Sequence, residues 1–347
     1  MEHKTKHHYL DVLQVLRGFA AHMVVVHHSV GSLKYYHKIQ SPFLDFIGST
    51  GKFGVDFFFV LSGFIISYSA FYKYNQPNAF RNYVANRLIR IYVPYLPIGV
   101  FMLLVYTFLP SFSNGNRTIS TLTSLTLIPD GNPALSVAWT LSFELFFYLV
   151  FSISFFSKKV WTYFICIWTL FILTFNYGYN LIGTITNPFI KLVFSIYNIE
   201  FIIGYFLAWI VIKKISFNRS FIQIILISII IIFVFLKINE IELFKFDLNF
   251  LFAFFTFIIV YIAIAFFNKK IKPVSLFMLI GNATYSIYLI HNPLQMIIFR
   301  LLPKIDSSFW VFSAILSVLI LSSFIGYLYY LLFEKWAITM FKSKLNY

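Results

Sequence analysis

Apolar residues in this chain do not alternate with polar ones. They run in long blocks separated by short stretches rich in lysine and arginine. The blocks fall near residues 10–31, 53–72, 92–110, 135–156, 160–177, 193–212, 220–237, 248–267, 278–300 and 309–333. Most reach the roughly 20 residues that an α-helix needs to cross a hydrocarbon core. The pattern therefore predicts an all-α polytopic membrane protein with about ten transmembrane helices in a lipid bilayer. No intervening segment is long enough for a second domain of ordinary size. One transmembrane domain over residues 1–347 is expected, with no extramembrane domain.

Composition agrees with the pattern. Hydrophobic residues make up 60% of the 347 and charged residues 11%, against about 25% charged in a soluble domain. The net charge of +15 raises nucleic acid as a partner, but position argues against it. The basic residues cluster between the apolar blocks, where lipid headgroups lie. With the N-terminus inside, seventeen basic residues fall in inside segments and nine, among them Lys52, Arg117 and Lys245, in outside segments, and Arg17 lies within a helix. The positive-inside rule then puts both termini in the cytoplasm. The single cysteine, Cys166, excludes an intrachain disulfide.

Several polar residues lie inside the apolar blocks, where ionisable groups mark functional positions by default. The first block contains RGFAAHMVVVHH, with Arg17 at one end and His27 and His28 at the other. Arg17 and His28 are eleven residues apart. At about 100° per residue this places them on one helix face, roughly 16 Å apart along the axis. His22 and His27 point elsewhere. In GVDFFFVLSGF, Asp56 enters the second helix at the depth expected for His28, and a carboxylate there would orient an imidazole. Ser62 and Gly63 in the same segment read as a close helix–helix approach. NRLIRIYVPY places Arg87 and Arg90 one turn apart at the predicted cytoplasmic start of the third helix, a pairing suited to phosphate. AWTLSFE carries Trp139, Ser142 and Glu144. Glu144 lies near mid-membrane, with Arg17 or a protonated histidine as its expected partner. ATYSIYLIHNPL brings Tyr285, Tyr288 and His291 together. No metal-ligand spacing, phosphate loop or nucleophile elbow is present.

These blocks, in this order, resemble the acyltransferase-3 family of membrane acyltransferases. The first block is similar to the family's first helix, with arginine followed by histidine at the spacing of Arg17 and His28. GVDFFFVLSGF, RLIR, AWTLSFE, EFIIG, YSIYLIH and FEKW are similar to later family segments. The resemblance implies a membrane O-acyltransferase that moves an acyl group, often acetyl from cytoplasmic acetyl-CoA, to a hydroxyl of a cell-surface or lipid-linked glycan. It implies His28 as the acyl-handling base, Arg17 as its helix partner, and Asp56 and Glu144 as the matched acids. Arg87 and Arg90, with Arg17, lie toward the acyl-CoA side. Trp139, Ser142, Tyr285, Tyr288 and His291 are expected to contact the substrate. The cytoplasmic membrane is the expected location, acyl-CoA and a carbohydrate acceptor are the expected partners, and no metal is expected. Some members carry an extracytoplasmic hydrolase-like domain after the last helix; here such a partner would be a separate polypeptide. The rival class is a transporter or flippase of a glycan intermediate, which would also line a path with charged residues and need not consume acyl-CoA.

The charge asymmetry yields a direct test of orientation. In a Cys166→Ser background, a cysteine at Asn132 should react with an impermeant thiol reagent added outside intact cells, and one at Asn218 should not. Labelling in the reverse pattern would invert the assignment of sides.

Overall fold

A computed structural model of the chain describes residues 9–112, 118–178, 181–238, 248–266, 272, 275–305 and 307–345. Fifteen α-helices are present among them: α1 (Tyr9–His37), α2 (Pro42–Gly51), α3 (Gly54–Phe71), α4 (Ala79–Phe108), α5 (Thr121–Thr126), α6 (Trp139–Phe151), α7 (Lys158–Leu173), α8 (Pro188–Val193), α9 (Tyr197–Ile212), α10 (Arg219–Ile238), α11 (Leu248–Phe266), α12 (Leu276–Asn282), α13 (Thr284–Leu301), α14 (Ser308–Tyr329) and α15 (Lys335–Leu345). No strand occurs among the described residues; one isolated bridge joins Ile119 and Asn132. Of the basic and acidic residues used for orientation, Lys4, Lys6, Arg117, Glu240, Glu242, Lys245, Asp247, Lys269, Lys270 and Asp306 lie outside the described residues.

Among the described residues six helical segments are long and apolar enough to cross a membrane: Pro42–Phe71, Ala79–Phe108, Ser136–Phe155, Lys158–Gly178, Pro188–Ile212 and Ser308–Lys344. The protein is membrane-embedded and multi-pass. Helices α10 and α11 carry shorter apolar stretches, Ile222–Ile232 and Leu251–Phe266. Helices α1 and α13 are not among the six. They carry Arg17, His22, His27 and His28, and Tyr285, Tyr288, His291 and Gln295.

The helices differ from the predicted spans in four places. The third span, expected from residue 92, begins at Ala79. Its first turns are polar but helix-compatible, and a hydropathy pattern registers only the apolar remainder. Arg87 and Arg90 therefore lie inside a long helix rather than at its start. Pro94 and Pro97 follow them within the same helix. Helix α2 was not anticipated, because ten residues with Pro42 and two glycines read as a loop. The ninth span is broken at Ala283 into α12 and α13. There Gly281 backs onto α1, and a Cβ on it would lie 2.5 Å from the Gln14 carbonyl oxygen. The tenth span continues through a π-helical turn, Tyr330–Glu334, into α15.

The chain packs as two compact units. The first comprises the described parts of 1–13, 56–83 and 146–271. Its centre is aromatic: Phe201 lies 4.6 Å from Phe59 and 4.7 Å from Phe147, centroid to centroid, and Phe151 lies 5.3 Å from Trp161. Such ring pairs add about 0.5–1.5 kcal/mol beyond their area burial. Helices α3 and α9 touch backbone to backbone. A Cβ on Gly63 would run into the Phe201 carbonyl, and one on Gly204 into the Val60 carbonyl. The small-residue reading of the Ser62–Gly63 segment thus holds for the glycine.

The second unit comprises 14–55, 84–145 and the described parts of 272–347. Helix α13 is its axis. Gly326 of α14 lets that helix close on Ile287, and Val25, Val30 and Leu33 of α1 share an apolar core with Ile287, Phe299 and Val318.

Gly63→Val and Gly204→Val should each lower the melting temperature of the detergent-purified protein and its monodisperse yield, by more than Ser62→Ala does. Equal behaviour of the three variants in a thermal-shift assay would remove the close approach of α3 and α9 as a requirement.

Candidate active site

The second unit gathers most of the polar residues singled out above. Helix α1 is bound to α13 by Gln295, a fully buried amide whose Nε2 donates to the Val25 carbonyl and to Ser29 Oγ, both at 2.9 Å. In an apolar medium an unmade bond of this kind costs the desolvation of each polar partner. Gln295 therefore sets both the register and the rotation of the two helices. His22 extends the attachment to α14, its Nε2 lying 2.8 Å from Ser323 Oγ.

That register brings three imidazoles together. The His28 ring lies 5.3 Å from the His291 ring and 5.0 Å from the His27 ring. His27 is held by Nδ1 at 2.7 Å from the Gly48 carbonyl, which ties α2 to α1. His291 has no exposed surface. Its ring faces the backbone of Ile287 and Tyr288 on the preceding turn without a well-formed hydrogen bond. Pro293, two residues on, lies inside α13 and is buried, the setting in which a membrane helix tolerates proline.

His28 opens onto a cavity of about 240 Å³. Ser32, Tyr35, Tyr36, Tyr106, Ser136 and Asn292 line it with His28, together with Met296 and Phe112. Hydroxyls, an amide and aromatic faces thus surround one imidazole, and no acid or lysine is among the described residues of the wall. Ser136 donates to Asn292 Oδ1 at 2.8 Å, so the segment leading into α6 is docked on α13. One turn along, Thr140 Oγ1 is 2.8 Å from the Tyr288 hydroxyl, which also donates to the Val137 carbonyl at 3.2 Å. Tyr288 and Tyr285 are buried. The Tyr285 hydroxyl donates to the Ile91 carbonyl of α4 at 3.0 Å. Both tyrosines thus hold neighbouring segments in place. Trp139 opens α6 with its ring against Phe143 at 5.8 Å, Ser142 is buried, and Glu144 lies one turn after Thr140, half-buried.

The arginines occupy separate positions. Arg17 is half-buried on α1 and donates to Gln14 Oε1 at 3.1 Å. Arg87 is half-buried on α4. Arg90 forms an ion pair with Glu334, N–O 2.6 Å, and its guanidinium lies over the Tyr285 ring at 5.3 Å. Glu334 is fully buried, and its second oxygen accepts from Ser286 at 2.5 Å. Removing one partner of such a pair typically costs about 3–5 kcal/mol, because a buried charge is left uncompensated. Sequence reasoning quoted Glu334 within FEKW without assigning it a role. The available signal was a lone acid closing a long apolar run. Asp56 belongs to the first unit. It is buried in the first turn of α3, where a helix N-terminus favours a carboxylate.

No curated protein and no solved structure matches the chain significantly. A family model described as an acyltransferase domain matches residues 8–328, which takes in most of both units, the three histidines, the arginines of α4 and the α6 and α13 segments. With nearly the whole chain covered, the protein belongs to the acyltransferase-3 family.

Proposed function

We propose that the protein is a membrane O-acyltransferase of the cytoplasmic membrane. In this reading it moves an acyl group, acetyl in the simplest case, from cytoplasmic acyl-CoA to a hydroxyl of a cell-surface or lipid-linked glycan. The observation that carries the reading is His28 in the wall of a cavity lined by hydroxyls, an amide and tyrosine rings, within a chain of acyltransferase family. Convergent polar groups among aromatic faces suit a neutral, hydroxyl-bearing ligand. His28 acts as general base: it takes the proton of the acceptor hydroxyl as that oxygen attacks the acyl carbonyl carbon. The carbon–sulfur bond of the thioester then breaks, and the departing thiolate takes the proton back from His28. No covalent acyl-enzyme is required. His291 and His27 flank the base and limit its rotation.

Arg87 and Arg90 serve the donor. Paired guanidinium groups one helical turn apart match the phosphates of acyl-CoA, and arginine binds phosphate through a planar fork that lysine lacks. Arg17 lies on the same helix as His28 and joins the donor side. Glu144, on α6 of the same unit, is the acid that would offset the charge of Arg17. A separate extracytoplasmic partner protein is compatible with this scheme and not required by it.

His28→Ala should abolish acyl transfer while the protein remains in the membrane at its normal level, and His27→Ala should keep most activity. Mass spectrometry of surface polysaccharide from cells with and without each variant reads the outcome. An active His28→Ala alongside an inactive His27→Ala would move the base to the neighbouring residue. Purified protein that never consumes acyl-CoA would favour a transporter instead.

The donor assignment has its own test. A charge-assisted contact contributes roughly 1.5–3 kcal/mol. Loss of one such contact should therefore raise the acyl-CoA dissociation constant about 10- to 100-fold. Arg87→Ala and Arg90→Ala should each show this in equilibrium binding to detergent-purified protein, with lysine restoring it only in part. Unchanged affinity in the double alanine variant would overturn the phosphate-binding role of both residues.

A further inference from the structure

Glu334 is a fully buried carboxylate with both oxygens engaged, one by Arg90 and one by Ser286. It closes the π-helical turn Tyr330–Glu334 between α14 and α15. A π turn holds one residue more than an α turn. It therefore redirects the side chains that follow, and such turns recur at functional sites. Here the turn ends on the only acidic side chain of the α14–α15 segment and aims it at α4.

One ring contacts the guanidinium that receives it, and two tyrosine hydroxyls hold the α4 backbone beside it. Tyr285 lies under Arg90, and the Tyr285 hydroxyl is bonded to Ile91, the next residue of α4. The Tyr329 hydroxyl donates to the Pro94 carbonyl, one turn further along α4, at 2.9 Å. Three elements thus converge on one turn of α4. Arginine has a long, rotamer-rich side chain, and holding it in one geometry carries an entropic cost. A rigid carboxylate meets that cost before any ligand arrives. The Arg90 side chain nevertheless keeps 29% of its surface exposed, so the group is held without being enclosed.

We propose that Glu334 is a positioning residue for the donor site: its carboxylate, locked by Ser286, holds the Arg90 guanidinium preorganised for a phosphate of the acyl donor. The proposal rests on Arg90 as a donor residue. It makes a prediction opposite to simple electrostatics. If Glu334 merely neutralised Arg90, or competed with phosphate for it, removing the negative charge would tighten binding of a polyanion. If it positions Arg90, the same change weakens binding.

The test is equilibrium binding of acetyl-CoA to the full-length, detergent-purified protein, with folded fraction read by size exclusion. Glu334→Gln should raise the dissociation constant roughly tenfold, the loss of about one charge-assisted contact. Glu334→Asp, which keeps the charge, should recover part of the affinity. Ser286→Ala, which releases the second oxygen and leaves the charge in place, should weaken binding in the same direction by a smaller factor. In an Arg90→Ala background, Glu334→Gln should change nothing further, since positioning acts through Arg90. Tighter or unchanged binding in Glu334→Gln, with Arg90→Ala weakened, overturns the positioning role alone. Unchanged binding in Arg90→Ala overturns the donor reading of that arginine and the proposal with it. If Glu334→Gln is not recovered folded, Ser286→Ala decides, and an unchanged constant there overturns the proposal.

Discussion

A polar side chain enclosed by apolar helices has to find its partner inside the protein, and in the second unit this requirement dictates how the helices meet. Gln295 places its buried amide NH2 by donating to the backbone of α1 and to Ser29. Glu334 can carry its charge only against Arg90 and Ser286. Each pairing joins residues distant in sequence, and each leaves a costly orphan if the helices slide by one turn. Apolar contacts such as Ile287 against Gly326 then fill the remaining space. They are less selective, because one branched side chain packs much like another.

The same economy shapes the candidate site. Helices α1 and α13 hold the imidazoles, and neither is among the segments apolar enough to be recognised as a membrane span. Their polar residues divide into two groups. Gln295, His22, His27 and the two tyrosines of α13 have partners that align neighbouring segments. His28 instead faces a cavity. A side chain carried on helices fixed by structural polar contacts is held in place, because moving it would break those contacts. Arg90 is held in the same way, where an ion pair, a tyrosine ring and a π turn meet.

Much of this was legible along the chain. Block hydrophobicity identified a polytopic helical protein, and helical spacing put Arg17 and His28 on one long helix. Charged residues inside apolar blocks drew attention to α1, α4, α6 and α13, because hydrocarbon makes every such residue conspicuous. The ordered blocks also carried the family, which the match over 8–328 shows.

What one-dimensional reading could not reach were quantities set by packing. The polar first turns of α4 have no hydropathy signal, so the helix start and the depth of Arg87 and Arg90 within it were misjudged. Beside the break at Ala283, Gly281 lies close against Gln14, a contact made across more than 250 residues of chain. The partner of Arg90 came from a π turn whose extra residue leaves no periodic trace, and Glu334 passed as part of a closing segment. Periodicity states which residues share a face of one helix. Which face of another helix they meet is decided by where buried polar groups such as the Gln295 amide and the Glu334 carboxylate find partners, and those partners exist only in the folded protein.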